Sequence, residues 1–140
     1  MSEATDRSRA LMFRITREIR DEGYIDLVDE LIAEDLIDHV DLPGLEGAGR
    51  DRYRASVEMM RAAFPDFRNP LDLVVAEDDF AVSYGRMTGT HLGELMGVPA
   101  TGKRFDVPVF GTLRFVDDEA VERWGLADFM GLTQQLGLMG

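Results

Sequence analysis

The chain lacks cysteine and has little histidine: of its 140 residues none is cysteine and two are histidine. Without thiols it forms no disulfide, no thiolate metal site and no cysteine nucleophile. His39 and His91 are the only imidazoles, and their spacing fits no metal-binding motif, so we predict no metal site. No apolar run approaches the ~20 residues of a membrane span, and residues 1–20 are too charged for a signal peptide. We therefore expect a cytoplasmic protein with no membrane partner.

Basic residues are scarce relative to acidic ones. The chain has 27 Asp and Glu against 15 Lys and Arg, which leaves a formal net charge of -12. Because that average field repels a phosphate backbone, we expect no nucleic-acid partner. With 45% hydrophobic and 30% charged residues, the composition is that of a globular chain. The length predicts one domain over residues 1–140.

The first half of the chain is predicted to be helical. Apolar residues recur at helical spacing in three segments, 5–22, 24–34 and 50–64. Pro65 stops the third helix. Residues 35–49 are rich in proline and glycine, which indicates an irregular loop.

The second half changes period and becomes rich in β-branched and aromatic residues. Four strands are predicted, at 69–77, 80–92, 104–116 and 120–128, with acidic or glycine-rich turns between them. A last helix follows residue 128. Helices followed by an antiparallel meander predict the α+β class.

The alternation along the last two predicted strands indicates a cavity. Thr112 and Arg114 face away from Leu113 and Phe115. Both faces of the sheet are partly apolar, so we expect it to be covered on each side or to curl around an interior. One face of the last strand carries Trp124, Leu126 and Asp128. An interior lined by that face and by Arg114 would be a pocket and not a solid core.

Three residues are candidate catalytic groups, and each has a structural alternative. Asp128 lies between an apolar strand and a hydrophobic helix, where it is either a helix N-cap or a general base in an apolar environment. Arg114 forms a structural ion pair or, if it points inward, holds a carbonyl or enolate oxygen. His91 satisfies nearby backbone groups, or it polarises or positions a substrate oxygen.

Further residues are candidates for contact with a substrate. His39 precedes the Pro-Gly loop and is either a loop residue or part of the mouth of the pocket. The predicted lining or contact residues are large and mostly apolar, with one threonine: Tyr53, Met60, Phe64, Thr112, Trp124 and Leu126. Gly97 to Lys103 matches the spacing of a phosphate-binding loop, but Arg104 follows where Ser or Thr is needed. We therefore predict no nucleotide site.

Four segments, in this order, resemble the SnoaL-like polyketide cyclases of the nuclear-transport-factor-two-like superfamily: AAFPDF (Ala62–Phe67), GTHLGELMGVPATGK (Gly89–Lys103), ERWGLAD (Glu122–Asp128) and QQLG (Gln134–Gly137). The resemblance extends from about Ile19 to the C-terminus. It implies a cone-shaped α+β barrel in which a curved antiparallel sheet wraps around N-terminal helices and a deep apolar cavity. It also implies a homo-oligomer, a dimer or tetramer.

The resemblance further implies a chemistry. Characterised cyclases of this kind close a ring by intramolecular aldol condensation on an anthracycline-type polyketide ester, without metal or cofactor. The aspartate after their tryptophan strand is the acid/base, and it corresponds to Asp128. Those enzymes have a histidine where this sequence has Arg114, which would serve as an oxyanion donor.

Two other functions are compatible with the same fold. One is an epoxide hydrolase or isomerase in which Arg114, Asp128 and Asp106 form a network. The other is a non-catalytic protein that binds a small apolar molecule.

Overall fold

The computed structural model describes residues 2–138. Helix α1 (Glu3–Arg14) continues directly as a π-helix (Ile15–Asp21), and a 3-10 turn (Ile25–Leu27) leads into the short helix α2 (Val28–Leu31). The remaining elements are β1 (Ile32–Asp38), α3 (Gly49–Ala63), β2 (Leu71–Glu77), β3 (Phe80–Thr90), β4 (Arg104–Val116), β5 (Glu119–Ala127) and α4 (Phe129–Gln135).

The first helical segment matches the prediction closely. The Ser2 side chain caps α1 by accepting a hydrogen bond from the Thr5 amide at 3.1 Å. Leu11, Ile15 and Ile19 are buried on one face, as the periodicity predicts. Gly23 follows the segment with φ 76°, a left-handed conformation that suits glycine after a helix.

The predicted helix at 24–34 is wrong over its second half. Only Val28–Leu31 is α-helical, and the chain then forms strand β1, which pairs in parallel with β5. The register shifts between Ile32 and Ile37, so buried residues do not alternate regularly along β1. This irregularity hides the strand from a period-two search, and pairing with β5 outweighs the local helical pattern.

The predicted meander is confirmed and lies within one five-stranded sheet of the described chain, in the order β1-β5-β4-β3-β2. Strands β2 to β5 pair with their sequence neighbours in antiparallel fashion. Asp117 and Asp118, between β4 and β5, both take positive φ, at 51° and 64°. Two consecutive positive φ values give the hairpin turn whose twist matches that of the strands.

The two faces of the sheet differ in burial. On β4, Phe105, Val107, Leu113 and Phe115 are buried against the helices, and the residues between them are more exposed. The opposite face of the sheet, which we call the outer face, presents exposed large apolar side chains: Leu73, Val75, Phe80, Val82, Phe110, Val116 and Leu126. The curved sheet therefore covers the helices on one side and leaves apolar surface on the other. No helix within residues 2–138 is long and apolar enough to cross a membrane.

Candidate functional site

A cavity opens between α3 and strands β4 and β5. Its volume is about 80 Å³, which holds several water molecules and is smaller than the roughly 300–1,000 Å³ of sites for drug-sized ligands. Its lining comes from the π-helix, the loop after β1, α3 and the residues after it, strands β3 to β5 and the start of α4: Arg20, Val40, Leu42, Tyr53, Ser56, Val57, Met60, Arg61, Phe67, Met87, Val109, Phe110, Gly111, Arg123, Trp124, Gly125, Leu126, Ala127 and Phe129. One functional group or one end of a larger ligand fits inside.

Two glycines leave the room for this cavity. Gly111 on β4 and Gly125 on β5 are direct partners in the register. A Cβ atom at Gly125 would lie 3.0 Å from Cγ2 of Val40, and one at Gly111 would lie 3.2 Å from Oγ of Ser83. Side chains at these two positions would therefore fill part of the cavity, next to Val40 in the loop after β1 and Ser83 on β3.

Three arginines give the cavity a cationic lining. Arg20 comes from the π-helix, Arg61 from α3 and Arg123 from β5. Arg61 Nη1 donates to the carbonyl oxygens of Arg20 and Asp21, at 2.9 and 2.8 Å. Arg20 Nη1 donates to the Asn69 side-chain oxygen at 3.0 Å, when the amide is oriented to satisfy its hydrogen bonds. Arg20 and Arg61 thus bind neutral oxygen atoms.

Arg123 is held by a buried carboxylate. Its Nη1 lies 3.4 Å from Oδ2 of Asp38, whose side chain is 1% exposed. The same nitrogen lies 3.4 Å from Oγ of Ser56, and the guanidinium carbon lies 4.8 Å from the ring centroid of Tyr53. Arg52 approaches the same Asp38 oxygen at 3.9 Å. Asp38 therefore balances two guanidinium groups.

Burial lowers the pKa of the Arg20 guanidinium, and the nearby Arg123 charge also acts to lower it. The Tyr53 and Asp21 side chains act in the opposite direction. Arginine stays protonated at neutral pH under such shifts. The inner end of the cavity therefore keeps two cations close together.

A cluster of aromatic and charged side chains on the outer face borders the mouth of the cavity through Trp124. The His39 imidazole stacks on the Trp124 indole, with centroids 5.0 Å apart and planes inclined by 14°. His39 Nε2 lies 2.7 Å from Oε2 of Glu122, and Arg114 Nε donates to Oε1 of the same carboxylate at 3.0 Å. The His39 hydrogen bond, with Arg114, holds the pKa of Glu122 below its ordinary value. Arg114 thus lies in an ion pair on the outer face, away from the cavity lining.

Asp128 caps helix α4 at the edge of this mouth. Its Oδ1 accepts a hydrogen bond from the Gly131 amide at 2.8 Å, and the side chain is exposed. Its two neighbours, Ala127 and Phe129, line the cavity. The carboxylate therefore stands at the rim, and its cap hydrogen bond is the N-cap contact that the sequence left open.

His91 lies apart from the cavity and is fully buried. Its Nδ1 accepts from the Thr101 amide at 3.2 Å and lies 3.0 Å from the Thr101 hydroxyl oxygen. Its Nε2 has no hydrogen-bond partner among the described residues. The imidazole contacts the loop between β3 and β4 and the ring of Phe64, at 5.7 Å between centroids. This is the backbone-satisfying role that was the structural alternative.

The structure brings together most of the predicted lining residues. Tyr53, Met60, Trp124 and Leu126 line the cavity, and His39 stacks on the lining residue Trp124. The expectation that the face of the last strand with Trp124 and Leu126 forms the interior is wrong, because the register turns the alternate residues of β5 inward. The expectation that Phe64 lines it is wrong, because Phe64 is fully buried and packs edge-on against Phe105, with centroids 4.6 Å apart. The expectation for Thr112 is also wrong, because Thr112 lies on the outer face and is not among the residues that line the cavity.

The network suggested for epoxide chemistry does not assemble. Arg114 pairs with Glu122, and Asp106 pairs with Arg86 at 2.8 Å. Asp128 bonds to its own helix. Within residues 2–138 no three His, Asp or Glu side chains are grouped so that they could hold a metal ion.

The family model of SnoaL-like polyketide cyclases matches residues 10–136. The chain belongs to this family.

Curated relatives of this SnoaL-like chain include two cyclases. The nogalonic acid methyl ester cyclase of Streptomyces nogalater is 28% identical over 116 residues, which are 82% of this chain and 87% of the relative. The aklanonic acid methyl ester cyclase DnrD of Streptomyces peucetius is 28% identical over 90 residues, which are 64% of this chain and 62% of the relative. Among solved structures, TsrD from Streptomyces laurentii is 26% identical with a TM-score of 0.83, covering 99% of both chains.

The sequence analysis of this SnoaL-like chain missed the three cavity arginines. Arg123 is in phase with Gly125 and Ala127, which face inward opposite Gly111 and Val109. The inward position of Leu113 was a usable signal, because Leu113 is the register partner of Arg123. No comparable signal marks Arg20, which the π-helix rotates away from the phase of a regular α-helix.

Proposed function

We propose that the protein is a cofactor-independent cyclase that closes a ring in a polyketide-like substrate by intramolecular aldol condensation, with Asp128 as the acid/base. The observation that carries this proposal is the position of Asp128 at the mouth of a largely apolar cavity, between two residues that line it. The names of the two curated relatives, both methyl ester cyclases, support the same reaction class.

The reaction consists of proton transfers and one carbon–carbon bond. The Asp128 carboxylate removes a proton from a carbon between two carbonyl groups, and the charge spreads over the enolate oxygens. The enolate carbon attacks a second carbonyl carbon of the same molecule. The new alkoxide takes the proton back from Asp128, so substrate and product are isomers. The cavity contributes by holding one end of the chain in a fixed orientation.

The size of the cavity supports a binding mode in which the reacting carbons stay at its mouth. A volume of about 80 Å³ accepts one end of a polyketide and not its ring system. Exposed apolar side chains lie around the opening, with Leu126 75%, Met130 66% and Phe129 36% exposed. Together with the His39–Trp124 stack they offer a surface for flat rings. A substrate bound in this way presents its reacting carbon near Asp128.

The test compares wild type with Asp128→Asn on nogalonic and aklanonic acid methyl esters. Asparagine keeps the N-cap hydrogen bond, so we expect the thermal unfolding midpoint to change little. We expect kcat to fall at least about 100-fold, since general acid/base catalysis contributes roughly 10²–10⁴. Ring closure is followed by chromatography at constant mass, and deuterium uptake from D₂O reports proton removal. Asp72→Asn, at an exposed position of β2, is the control.

The outcomes separate the candidate functions. Full turnover in Asp128→Asn contradicts the role of Asp128. Binding of the esters without deuterium uptake or ring closure by wild type favours a non-catalytic binding protein. Deuterium uptake without ring closure favours an isomerase acting on a related substrate.

We also propose that the part of the outer face on β2, β3 and β4 is covered by the same part of a second copy, which leaves Trp124 and Leu126 on β5 free to contact the substrate. Exposed apolar side chains occupy this face, and four of its charged side chains are paired within the chain, Arg86 with Asp106 and Arg114 with Glu122. For a chain of net charge -12, these internal pairs lower the repulsion between two copies that meet at this face. A two-fold dimer uses one patch on both copies.

A further inference from the structure

The lining of the cavity is opposite in charge to the protein. The chain carries 27 acidic residues against 15 basic ones. Among the described residues that line the cavity, however, three are arginines and none is acidic. A lining with this composition is unexpected in a chain whose acidic residues outnumber its basic ones almost two to one.

Among the described residues, Arg123 is the one cavity arginine in a salt bridge. Within residues 2–138, Arg20 and Arg61 form no salt bridge, and Arg123 shares Asp38 with Arg52. Asp21, the acid that follows Arg20 in the chain, accepts a hydrogen bond from the Asn69 amide at 2.7 Å and does not line the cavity. Partly buried cations without matched anions are costly unless a ligand supplies the negative charge.

The polar side chains Arg20, Arg123 and Ser56 also line the same small cavity, where they can donate hydrogen bonds to one small ligand group. Arg20 and Arg123 are close enough for the charge of one to affect the pKa of the other. The Ser56 hydroxyl lies within 3.4 Å of Arg123. Guanidinium groups present planar arrays of donors that suit a delocalised two-oxygen anion. The surrounding wall is apolar, which strengthens such contacts.

We propose that the inner end of the cavity is an oxyanion subsite in which Arg20 and Arg123 bind a delocalised oxygen anion of the ligand, either a carboxylate or the enolate of a 1,3-dicarbonyl. Arg61 adds positive charge beside them. The inference deepens the proposed function, because it names the group that enters the cavity while the reacting carbon stays at the mouth. Arg20 and Arg123 are here binding and positioning residues.

The test measures binding of small probes and needs no turnover. The carboxylate probe is 2-naphthoate, with methyl 2-naphthoate as its neutral match. The enolate probe is 2-hydroxy-1,4-naphthoquinone, with 2-methoxy-1,4-naphthoquinone as its neutral match. Dissociation constants are measured by isothermal titration calorimetry with wild type, Arg20→Gln and Arg123→Gln. Arg86→Gln, on the outer face, removes the same charge at a distance from the cavity.

We expect at least one anion to bind at least about 10-fold more tightly than its neutral match, and each cavity variant to lose that advantage. Arg86→Gln should bind like wild type. Preference for the carboxylate alone, the enolate alone or both identifies the source of the anion. Equal binding of anions and neutral matches, or unchanged anion binding in Arg20→Gln, overturns the proposal.

The choice of variants keeps the result interpretable. Arg123→Gln leaves Asp38 with a weaker partner and risks unfolding, whereas Arg20→Gln removes a group bonded to the neutral Asn69 side chain. Asp128→Asn should bind the anions like wild type, so failure of the subsite and failure of the catalytic assignment give different patterns. A catalytically active enzyme without anion preference retains the cyclase proposal and rejects the subsite.

Discussion

Oδ2 of Asp38, the last residue of β1, lies 3.4 Å from Nη1 of Arg123 on β5. The contact joins the two parallel strands at the register pair Asp38–Arg123 and orients Arg123 along the cavity wall. Asp38 Oδ1 also accepts a hydrogen bond from the Val40 amide at 3.0 Å, which fixes the start of the following loop. One buried carboxylate thereby positions a strand, a loop and a cavity side chain.

Asp38→Asn should lower the free energy of unfolding by about 3 kcal/mol, since it leaves Arg123 and Arg52 without their buried carboxylate. The amide still offers an oxygen to Val40, so the change isolates the charge. Urea denaturation at neutral pH measures the effect. Asp51→Asn, where the side chain is 90% exposed and paired with Arg54, should cost less than about 1 kcal/mol. Similar losses in the two variants would contradict the assigned role of Asp38.

Glu122→Gln should change how stability depends on pH. Because the pKa of Glu122 is depressed in the folded state by His39 and Arg114, its ionisation stabilises the fold above its unfolded-state pKa of about 4.3. This stabilisation is lost as the pH falls through the lower folded-state pKa. The variant should therefore melt at a lower temperature than wild type at neutral pH, and the difference should shrink toward about pH 3.

Calorimetric melting curves across that pH range provide the measurement for Glu122→Gln. Glu58→Gln, at an exposed position of α3 without a salt bridge in the described chain, is the control. A difference from wild type that is constant with pH would show that packing, and not ionisation, accounts for the effect.

Gly85→Ala should destabilise the sheet by at least about 2 kcal/mol. A Cβ atom at this position would collide with the Pro70 carbonyl oxygen and lie 3.0 Å from Cα of Leu71, both of which are backbone atoms. Backbone in a paired strand cannot move aside as a flexible side chain can. The urea midpoint is the readout, and Gly111→Ala, which meets only the Ser83 hydroxyl, is the comparison. An unchanged midpoint in Gly85→Ala would mean that β2 can shift away.

Val82→Glu should convert a dimer to a monomer. Val82 is 42% exposed at the centre of the outer face, between Val75 on β2 and Thr112 on β4. Light scattering should give twice the 15.7 kDa of one chain for wild type and that mass for the variant. Leu92→Glu, an exposed apolar position beyond β3, should remain dimeric. A monomeric wild type would reject the dimer proposal.

The local hydrophobic pattern of the sequence predicts an element correctly where it agrees with the strand pairing of the fold. Strand β4 is found at its predicted bounds, 104–116, because its residues alternate regularly between a buried and an exposed face. Strand β1 is missed because its buried residues follow no single period and only its pairing with β5 makes it a strand. That pairing joins residues more than eighty positions apart, which no local window contains.

In the candidate site, too, residues that follow a local pattern were predicted and residues that depend on distant pairing were missed. Tyr53 and Met60 were predicted because helical spacing places them on one face of α3. Trp124 was predicted from the alternation of the last strand, and Asp128 from its position after that strand, with its acid/base role implied by the family resemblance. Arg20 and Arg123 depend on a π-helical turn and on an interstrand register, so their convergence needed coordinates. The residue type also gave no indication of a cavity position, because an arginine in a chain rich in acidic residues is ordinarily a surface residue.

The Gly111–Gly125 pair has a consequence for how easily the cavity of this chain changes in depth. Neither glycine takes a positive φ, so each accepts alanine without backbone strain. A glycine codon becomes an alanine codon through one base substitution. A single base substitution in either codon would therefore make the cavity shallower. The strand pairing that positions Arg123 would not change. Under the two proposals above, the length of the ligand that the cavity admits would change by such mutations while the fold and the arginine lining stay the same.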